Sequence, residues 1–373
     1  MVDSVVKKES HPVSLWMLSF VYMGFTVSFG TFLSVLLIFL NKNIGMGEND
    51  AFQLFSSVMS LAFVMPLIGG YLCDKFGFRN ITVVGLIFTF LGFMLISVPG
   101  KSYLYLGLAV FLSGNALCTP AIWSQVGLIY KKNSFLRESG STIFYMLLNF
   151  GFLFSTLSAP FMVRVIGYHW VFFMYGLTPL LSLAIYLFYS RKLDLVGLSS
   201  NVKEVTLKRM IFSLISAALL VVPVFFLLSN IFINNVLLIV CVIVAFSYVV
   251  VLMKRQEKVA VNKMVAFMAL CLLGLSYLVI YNTEFSILPE YALHALDRVV
   301  LGVNFPASVV PSFDSIFCII FGVGLIRLWA FLGARGKSPK LSTKFAIGLL
   351  FSALGYLLLA LILFFYKSEA MSL

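Results

Sequence analysis

The chain has 373 residues, of which 61% are hydrophobic and 11% are charged, whereas a soluble domain carries about 25% charged residues. This composition excludes a soluble, fibrous or disordered protein and is sufficient for about ten membrane-spanning helices of roughly 20 residues each. The formal net charge of +12 fits either a nucleic-acid partner or basic cytoplasmic loops, and its distribution distinguishes these explanations.

Eleven apolar segments, bounded by Gly, Pro, Asn and charged residues, are long enough to cross a bilayer as helices. They lie at 14–40, 51–73, 80–99, 103–128, 141–163, 170–190, 209–229, 231–253, 264–288, 309–333 and 343–366. The polar tail before the first segment has no small-residue cleavage site, so we expect this helix to be retained. The predicted fold is all-α, a polytopic transmembrane helical bundle.

Lysine and arginine residues are concentrated in alternate loops. With a cytoplasmic N-terminus, twenty of the 26 lie on the cytoplasmic side, five lie outside and Arg327 lies within a helix. Cytoplasmic loops of membrane proteins carry this excess. The bias therefore predicts an inner-membrane protein whose N-terminus is cytoplasmic and whose last helix ends on the outer side, and it removes the reason to expect a nucleic-acid partner.

A polar stretch with charges of both signs divides the helices into two groups. We predict a six-helix bundle at 1–190, a cytoplasmic linker at 191–208, an inserted transmembrane hairpin at 209–253 and an incomplete three-helix bundle at 254–373. The cysteines and histidines have no paired spacing, so no disulfide framework, metal site or cofactor is predicted. The chain also lacks the nucleophile and phosphate-binding motifs of a membrane enzyme.

The loop after the second predicted helix reads Gly-Gly-Tyr-Leu-Cys-Asp-Lys-Phe-Gly-Phe-Arg-Asn at residues 69–80. Glycines permit two helices to approach closely, and an aspartate at a helix end can accept from the N–H groups of a neighbouring helix. The spacing resembles the cytoplasmic-loop signature of the major facilitator superfamily. The resemblance implies a gating role for Gly70, Asp74, Gly77 and Arg79; an ordinary charged turn is the alternative.

Three further segments restrict the resemblance to one family within this superfamily. Residues 114–121 read Gly-Asn-Ala-Leu-Cys-Thr-Pro-Ala, residues 142–151 read Thr-Ile-Phe-Tyr-Met-Leu-Leu-Asn-Phe-Gly, and residues 343–349 read Thr-Lys-Phe-Ala-Ile-Gly-Leu. Together with the loop, they resemble the proton-dependent oligopeptide transporter (POT) family, whose bacterial members are similar in having two helices between their six-helix halves. The resemblance implies alternating-access transport of small peptides or a related amphoteric solute at a midplane site between two bundles.

The resemblance also suggests residues that bind the substrate. Asn149 matches the fifth-helix asparagine that binds the peptide backbone in the family, and Tyr145 precedes it by one turn in the same motif. Tyr281 lies on a helix that lines the cavity in the family, with Asn282 beside it. Asp314 falls on the first residue of the family's eighth-helix Asn-Pro pair, so we include it among the candidate substrate contacts.

The sequence differs from the family at positions where the family carries charged residues in its first and fourth helices. The first helix of the family contains Glu-x-x-Glu-Arg-Phe-x-Tyr-Tyr-Gly, whereas residues 21–30 read Val-Tyr-Met-Gly-Phe-Thr-Val-Ser-Phe-Gly. Both acids and the arginine are absent, and the fourth-helix lysine of the family falls on Thr119. Proton coupling requires an ionisable group within the membrane, so any such group must lie in the second half.

Glu284 and Asp314 are the candidate proton-coupling residues. Glu284 lies late in its predicted helix with Pro289 shortly after it, and it either faces the central cavity or lies in the outer interfacial zone. Asp314 follows Pro311 closely. It is either a functional acid or a charge that stabilises a helix N-terminus.

The number of helices leaves two functional alternatives. The POT family has twelve core helices plus the hairpin, so nine core helices match this chain and the last three have no counterpart in it. A second chain or a homodimer could complete the C-terminal bundle. We expect a bilayer-embedded secondary transporter of small peptides, with protons as the candidate coupling ion. The alternative is a degenerate or truncated paralogue that binds a solute or partner without transport. An enzyme is not expected.

Overall fold

A computed structural model of the chain describes residues 11–130, 136–190, 207–254, 257–295, 299–300, 303–334 and 341–370. The helices within this part are α1 (Val13–Lys42), α2 (Glu48–Val64), α3 (Pro66–Phe76), α4 (Phe78–Ile96), α5 (Lys101–Ile129), α6 (Leu136–Ile166), α7 (Tyr168–Ser190), α8 (Leu207–Ser229), α9 (Ile231–Met253), α10 (Lys258–Asn282), α11 (Ile287–Ala295), α12 (Ser312–Ala334) and α13 (Leu341–Ala370). Two 3-10 turns lie at Thr283–Phe285 and Ala307–Val309, and β1 (Val299–Val300) pairs antiparallel with β2 (Val303–Asn304).

Eleven helical segments of the described residues are long and apolar enough to cross a membrane. They coincide with the eleven predicted segments, which confirms the all-α transmembrane fold. The second segment is divided into α2 and α3 at Met65. Pro66 begins α3, in the first turn of the helix, where its missing N–H breaks no hydrogen bond within that helix.

The chain forms two compact units. The first comprises Met1–Ile243 and Phe285–Gly322, and the second comprises Val244–Glu284 and Val323–Leu373. The first unit therefore contains α1 to α8, the part of α9 that ends at Ile243, α11 and the start of α12. The predicted boundaries of bundles, linker and hairpin stay a prediction, and the linker lies outside the described residues except for its last two positions.

Helices α4 and α5 pack closely through glycines spaced seven residues apart on each helix. These are Gly85 and Gly92 on α4, and Gly107 and Gly114 on α5. A Cβ atom added at Gly92 would lie 2.5 Å from the backbone nitrogen of Phe111, and one at Gly114 would lie 2.5 Å from that of Thr89. Because lipid removes the hydrophobic drive between helices, such close backbone packing is the main source of their association.

Aromatic side chains form the core beneath α1. Phe25, Phe32 and Phe39 are at most 1% exposed. Phe29 stacks on Phe25 with ring centroids 6.2 Å apart and on Phe111 of α5 at 5.9 Å. Phe32 contacts the same Phe111 ring at 4.5 Å. This column of rings fixes α1 against α5 without a charged group.

A buried hydrogen-bond network joins α4, α5 and α7. The Tyr186 hydroxyl donates to Oε1 of Gln125 at 2.8 Å, and Nε2 of Gln125 donates to the Thr82 hydroxyl at 2.8 Å. Gln125 is 1% exposed and Tyr186 is 2% exposed. A buried amide is costly unless its donors and acceptors are satisfied, so this network fixes how the three helices pack.

Replacing the tyrosine in this network provides a test of its strength. In Tyr186→Phe, Oε1 of Gln125 loses its donor, and we expect the free energy of unfolding to fall by about 1–3 kcal/mol. Thermal unfolding of the purified protein measures the change. Tyr189→Phe, on the same helix at a 42% exposed position, is the matched control, and equal losses in the two variants would contradict the prediction.

Candidate functional site

Three aromatic rings meet where α1, α5 and α6 pack together. Nε1 of Trp123 donates to the Tyr22 hydroxyl at 3.0 Å. The Phe144 ring stacks on Tyr22 with centroids 5.2 Å apart and meets the edge of Trp123 at 4.9 Å. Tyr22 and Phe144 are buried, whereas Trp123 is 41% exposed. We call these three residues the aromatic cluster.

Trp123 shares one face of α5 with two polar residues, since Asn115, Thr119 and Trp123 are spaced four residues apart. The Thr119 hydroxyl donates to Oδ1 of Asn115 at 3.1 Å, and Nδ2 of Asn115 donates to the carbonyl oxygen of Ala62 at 3.1 Å. Polar groups within a membrane-spanning helix face the protein interior or a water-filled cavity because lipid cannot satisfy them. The exposed edge of the indole therefore lies on a face that is turned away from lipid.

The predicted substrate contacts on α6 lie on the helix that carries Phe144. Nδ2 of Asn149 donates to the carbonyl oxygen of Tyr145 at 2.8 Å, and the Asn149 side chain is 4% exposed. Tyr145 directly follows Phe144 and is 47% exposed. The structure thus places Tyr145 and Asn149 one helical turn apart on α6, and their contact with a substrate stays a prediction.

Three other predicted residues belong to the second unit. The Tyr281 ring stacks on Tyr277 with centroids 5.9 Å apart, and Nδ2 of Asn282 donates to the carbonyl oxygen of Leu278 at 2.8 Å. Glu284 is half-buried and lies in the 3-10 turn between α10 and α11. Interrupted helices are frequent at the binding and coupling sites of transporters. Glu284 lies in such an interruption, and its role in proton coupling stays a prediction.

Asp314 lies in the first turn of α12, within the first unit. Its side chain is half-buried, and Sγ of Cys318 lies 3.7 Å from its Oδ1 atom. A carboxylate at this position is stabilised by the positive end of the helix dipole. This placement agrees with the simpler of the two predicted roles, and the substrate-binding and proton-coupling roles stay predictions.

The residues of the loop motif differ in their surroundings. Gly77 ends α3 and begins α4 with φ +92°, a conformation that side chains disfavour. A Cβ atom at Gly70 would meet nothing within 4 Å, whereas one at Gly69 would overlap the Ala116 carbonyl group of α5. Asp74 is exposed and Arg79 is half-buried. The close helix approach in this motif is therefore made by Gly69, and gating by the others stays a prediction.

The positions that align with the family's first-helix charges lie in packed surroundings. Val21 is fully buried and Phe25 is 1% exposed. Between them, the carbonyl oxygen of Gly24 accepts from the Thr178 hydroxyl of α7 at 2.8 Å. A charged side chain at position 21 or 25 would have no contact with water, and burying it unpaired would be strongly unfavourable. The packing of α1 is thus adapted to the absence of these charges.

Sequence reasoning missed Trp123 and Phe144. A usable signal existed for the tryptophan, since Trp123 follows Thr119, the position of the family's fourth-helix lysine, by one helical turn. Phe144 also had a signal, because it lies in the segment 142–151 on which the family resemblance rests.

The C-terminal end of α6 contacts β2 and the residue that follows it. The Arg164 guanidinium at the end of α6 donates to the backbone carbonyl oxygen of Asn304 at 2.6 Å and to its Oδ1 atom at 3.4 Å. Phe161 meets the Phe305 ring edge to face at 5.6 Å. These contacts attach the segment that precedes α12 to the end of α6.

The sequence profile of the POT family matches residues 78–371. This chain belongs to the POT family. It is 26% identical to an uncharacterized transporter, YclF, of Bacillus subtilis strain 168, over 96% of the chain and 76% of that protein. It is also 26% identical to dipeptide and tripeptide permease A of Escherichia coli K12, over 88% of the chain and 65% of the permease. The chain thus spans about two thirds of the length of that permease.

Comparison with solved structures also relates the chain to POT family transporters. A POT family transporter in complex with 5-aminolevulinic acid superimposes with a TM-score of 0.78 and 25% identity, over 95% of this chain and 77% of that one. A POT family transporter in complex with a thioalcohol-conjugated peptide superimposes with a TM-score of 0.77 and 25% identity, over the same shares. The relatives are transporters and permeases, in agreement with the prediction that the protein is not an enzyme.

Proposed function

We propose that this POT-family membrane protein is a secondary transporter of small peptides or related amphoteric solutes. The observation that carries the proposal is the face of α5 formed by Asn115, Thr119 and Trp123. It presents the half-buried Thr119 hydroxyl, which can still accept a hydrogen bond, and the exposed indole of Trp123 within a membrane-spanning helix, away from lipid. The Asn115 amide behind them is buried and hydrogen-bonded within the protein. The family match and the similarity to permeases support the same function. Within this proposal, Tyr145, Asn149, Tyr281 and Asn282 contact the solute.

Alternating access is part of the proposal. In transporters of this type, two bundles rock around a midplane site, and the match to the POT family supports such a movement. The protein would lie in the inner membrane with its N-terminus in the cytoplasm. A second chain or a second copy would complete the C-terminal bundle. Light scattering of the purified protein measures the molar mass of the assembly and so tests this.

Uptake into proteoliposomes tests the proposed function. We expect reconstituted protein to take up labelled di- and tripeptides faster than protein-free liposomes, with a further increase under an inward proton gradient. Uptake at the level of protein-free liposomes, from protein that stays monodisperse and folded, would contradict the proposal. That result would favour the alternative of a paralogue that binds without transport.

Glu284 is the acid that we propose for proton coupling, because it lies in an interruption of a spanning segment. In Glu284→Gln the side chain cannot titrate, so we expect the stimulation of uptake by a proton gradient to fall about tenfold while exchange without a gradient continues. Glu257→Gln, at an exposed position before α10, is the control. Unchanged stimulation in Glu284→Gln would contradict this assignment, and its loss in Asp314→Asn would transfer the role to Asp314.

A further inference from the structure

We infer that the aromatic cluster binds an aromatic or other apolar side chain of the solute, and that the solute needs no carboxylate in order to bind. This inference rests on the proposed function, since it specifies which peptides the site accepts. Two observations carry it: an exposed indole that is hydrogen-bonded and packed against buried neighbours, and three surrounding helices that carry no charged residue at the depth of the cluster.

The indole of Trp123 contacts two neighbours that are themselves buried. Its N–H donates to the Tyr22 hydroxyl at 3.0 Å, and its ring contacts Phe144 at 4.9 Å. Tyr22 is 5% exposed and Phe144 is fully buried, while 41% of Trp123 is open. A rigid aromatic surface binds an apolar group with little loss of conformational freedom, so the cluster is prepared for such a group.

The three helices that form the cluster carry no charge at its depth. The chain has no Asp, Glu, Lys, Arg or His at 13–41 of α1, 102–129 of α5 or 139–163 of α6. A carboxylate bound against the cluster would lose its water and gain no cation from these helices, which is strongly unfavourable. An apolar ring gains from leaving water and from edge-to-face contact with the indole. The cluster therefore favours an uncharged side chain.

The polar groups beside the cluster are uncharged as well. Thr119 and Asn115 are hydrogen-bonded to each other at 3.1 Å, and Asn115 is 5% exposed. The Thr119 hydroxyl donates to Asn115 and can still accept a hydrogen bond, which suits the neutral N–H group of a peptide bond rather than an ionised carboxylate. A peptide whose C-terminus is blocked as an amide therefore fits this face as well as the free acid does.

Calorimetric titration of the full chain in lipid nanodiscs tests the inference with three probes: phenylalanyl-alanine, its C-terminal amide and aspartyl-alanine. We expect the first two to bind with Kd values within about threefold of each other, and aspartyl-alanine to bind about tenfold more weakly or worse. A free acid that binds about tenfold more tightly than its amide would overturn the inference, because the carboxylate would then be required. This comparison uses the unaltered protein and does not depend on any variant.

Variants of Trp123 test whether phenylalanyl-alanine binds at the aromatic cluster. We expect Trp123→Ala to weaken phenylalanyl-alanine about tenfold or more, and Trp123→Phe, which keeps a ring, to weaken it less. Trp170→Ala is the control, since Trp170 is 63% exposed at the start of α7, and it should leave the Kd unchanged. Binding of phenylalanyl-alanine to folded Trp123→Ala with the original Kd would overturn the inference.

A further probe separates this inference from the proposed function. If no dipeptide binds, the proposed function fails, and N-acetyl-tryptophanamide then tests the aromatic cluster alone. Its binding to the unaltered chain but not to Trp123→Ala would support the inference. Absence of binding of N-acetyl-tryptophanamide to the unaltered chain would overturn it.

Discussion

Gly69→Val should prevent the chain from reaching its folded state, while Gly70→Val should leave it intact. A Cβ atom at Gly69 would overlap the carbonyl oxygen of Ala116, lie 2.7 Å from its carbonyl carbon and lie 3.1 Å from Cγ of Pro120. These are backbone and ring atoms that no rotamer change can remove. Valine at position 69 would therefore separate α3 from α5, at an expected cost of about 3 kcal/mol or more.

The adjacent glycine provides a closely matched control. Gly70 lies on the same helix, and a Cβ atom there meets nothing within 4 Å. The two variants have equal composition and equal helix propensity, so a difference between them reports packing alone. Fluorescence-detected size exclusion of solubilised membranes measures the yield of monodisperse protein. A normal peak for Gly69→Val would show that α3 and α5 are farther apart than described.

Gly151→Val is the second variant for which we expect a large effect. Gly151 ends the α6 motif, and a Cβ atom there would lie 2.6 Å from the carbonyl oxygen of Met23 and 3.2 Å from its Cγ atom. At the same interface the Thr26 hydroxyl donates to the carbonyl oxygen of Leu148 at 3.2 Å. Valine would separate α1 from α6 and break this hydrogen bond, so we expect a loss of about 3 kcal/mol or more.

Thermal unfolding of purified Gly151→Val measures this effect, if the protein can be isolated. Gly127→Val is the control, because Gly127 is also helical and a Cβ atom there has no neighbour within 4 Å. The same displacement of α6 would move Phe144 away from Tyr22, so the fluorescence of the Trp123 indole should shift as well. Equal melting temperatures for the two variants would contradict the close packing of α1 and α6.

The two glycines show that these motifs have a packing component. Gly69 lies in the loop segment and Gly151 in the α6 segment on which the family resemblance was based. At each glycine the structure shows a backbone within contact distance of where a side chain would be. Small residues at helix contacts are what holds helices together in lipid. Part of the motif pattern is therefore explained by packing alone, whatever the neighbouring polar residues do.

The packing of α1 shows what replaces the charged residues that the family has in its first helix. Where the family carries two acids and an arginine, this chain has a fully buried Val21, a Gly24 in contact with α7 and a Phe25 that is 1% exposed. Restoring one charge alone would bury it without a partner. The first unit is therefore consistent with a solute recognised through apolar and neutral hydrogen-bonding groups, as we infer for the aromatic cluster.

The helices were predictable because the bilayer imposes a simple requirement. A span needs about 20 apolar residues and an internally satisfied backbone, and both are visible as uninterrupted hydrophobic sequence. All eleven segments were found in this way. The division at Met65 was missed, since Pro66 was read as part of a continuous run and proline at the first position of a helix leaves its hydrophobicity unchanged.

The candidate site was less predictable, for a physical reason. Asn149 and Tyr145 could be named because a motif marks them, and Glu284 and Asp314 because an acid stands out in apolar sequence. Trp123 and Phe144 could not be paired, because they lie on different helices and apolar sequence does not encode which faces meet. The same limit applies to Gly69 and Gly70, which are adjacent in sequence but differ in what surrounds them.

The sequence by itself determined the membrane-embedded fold and the number of spans, since these depend on composition along the chain. Only the tertiary structure decided which aromatic rings meet near Thr119, which glycine lets two backbones approach and where the first helix buries the positions of the lost charges. Helix contacts in lipid are set by the shapes of the facing surfaces rather than by hydrophobicity, because most lipid-facing and helix-facing residues are equally apolar.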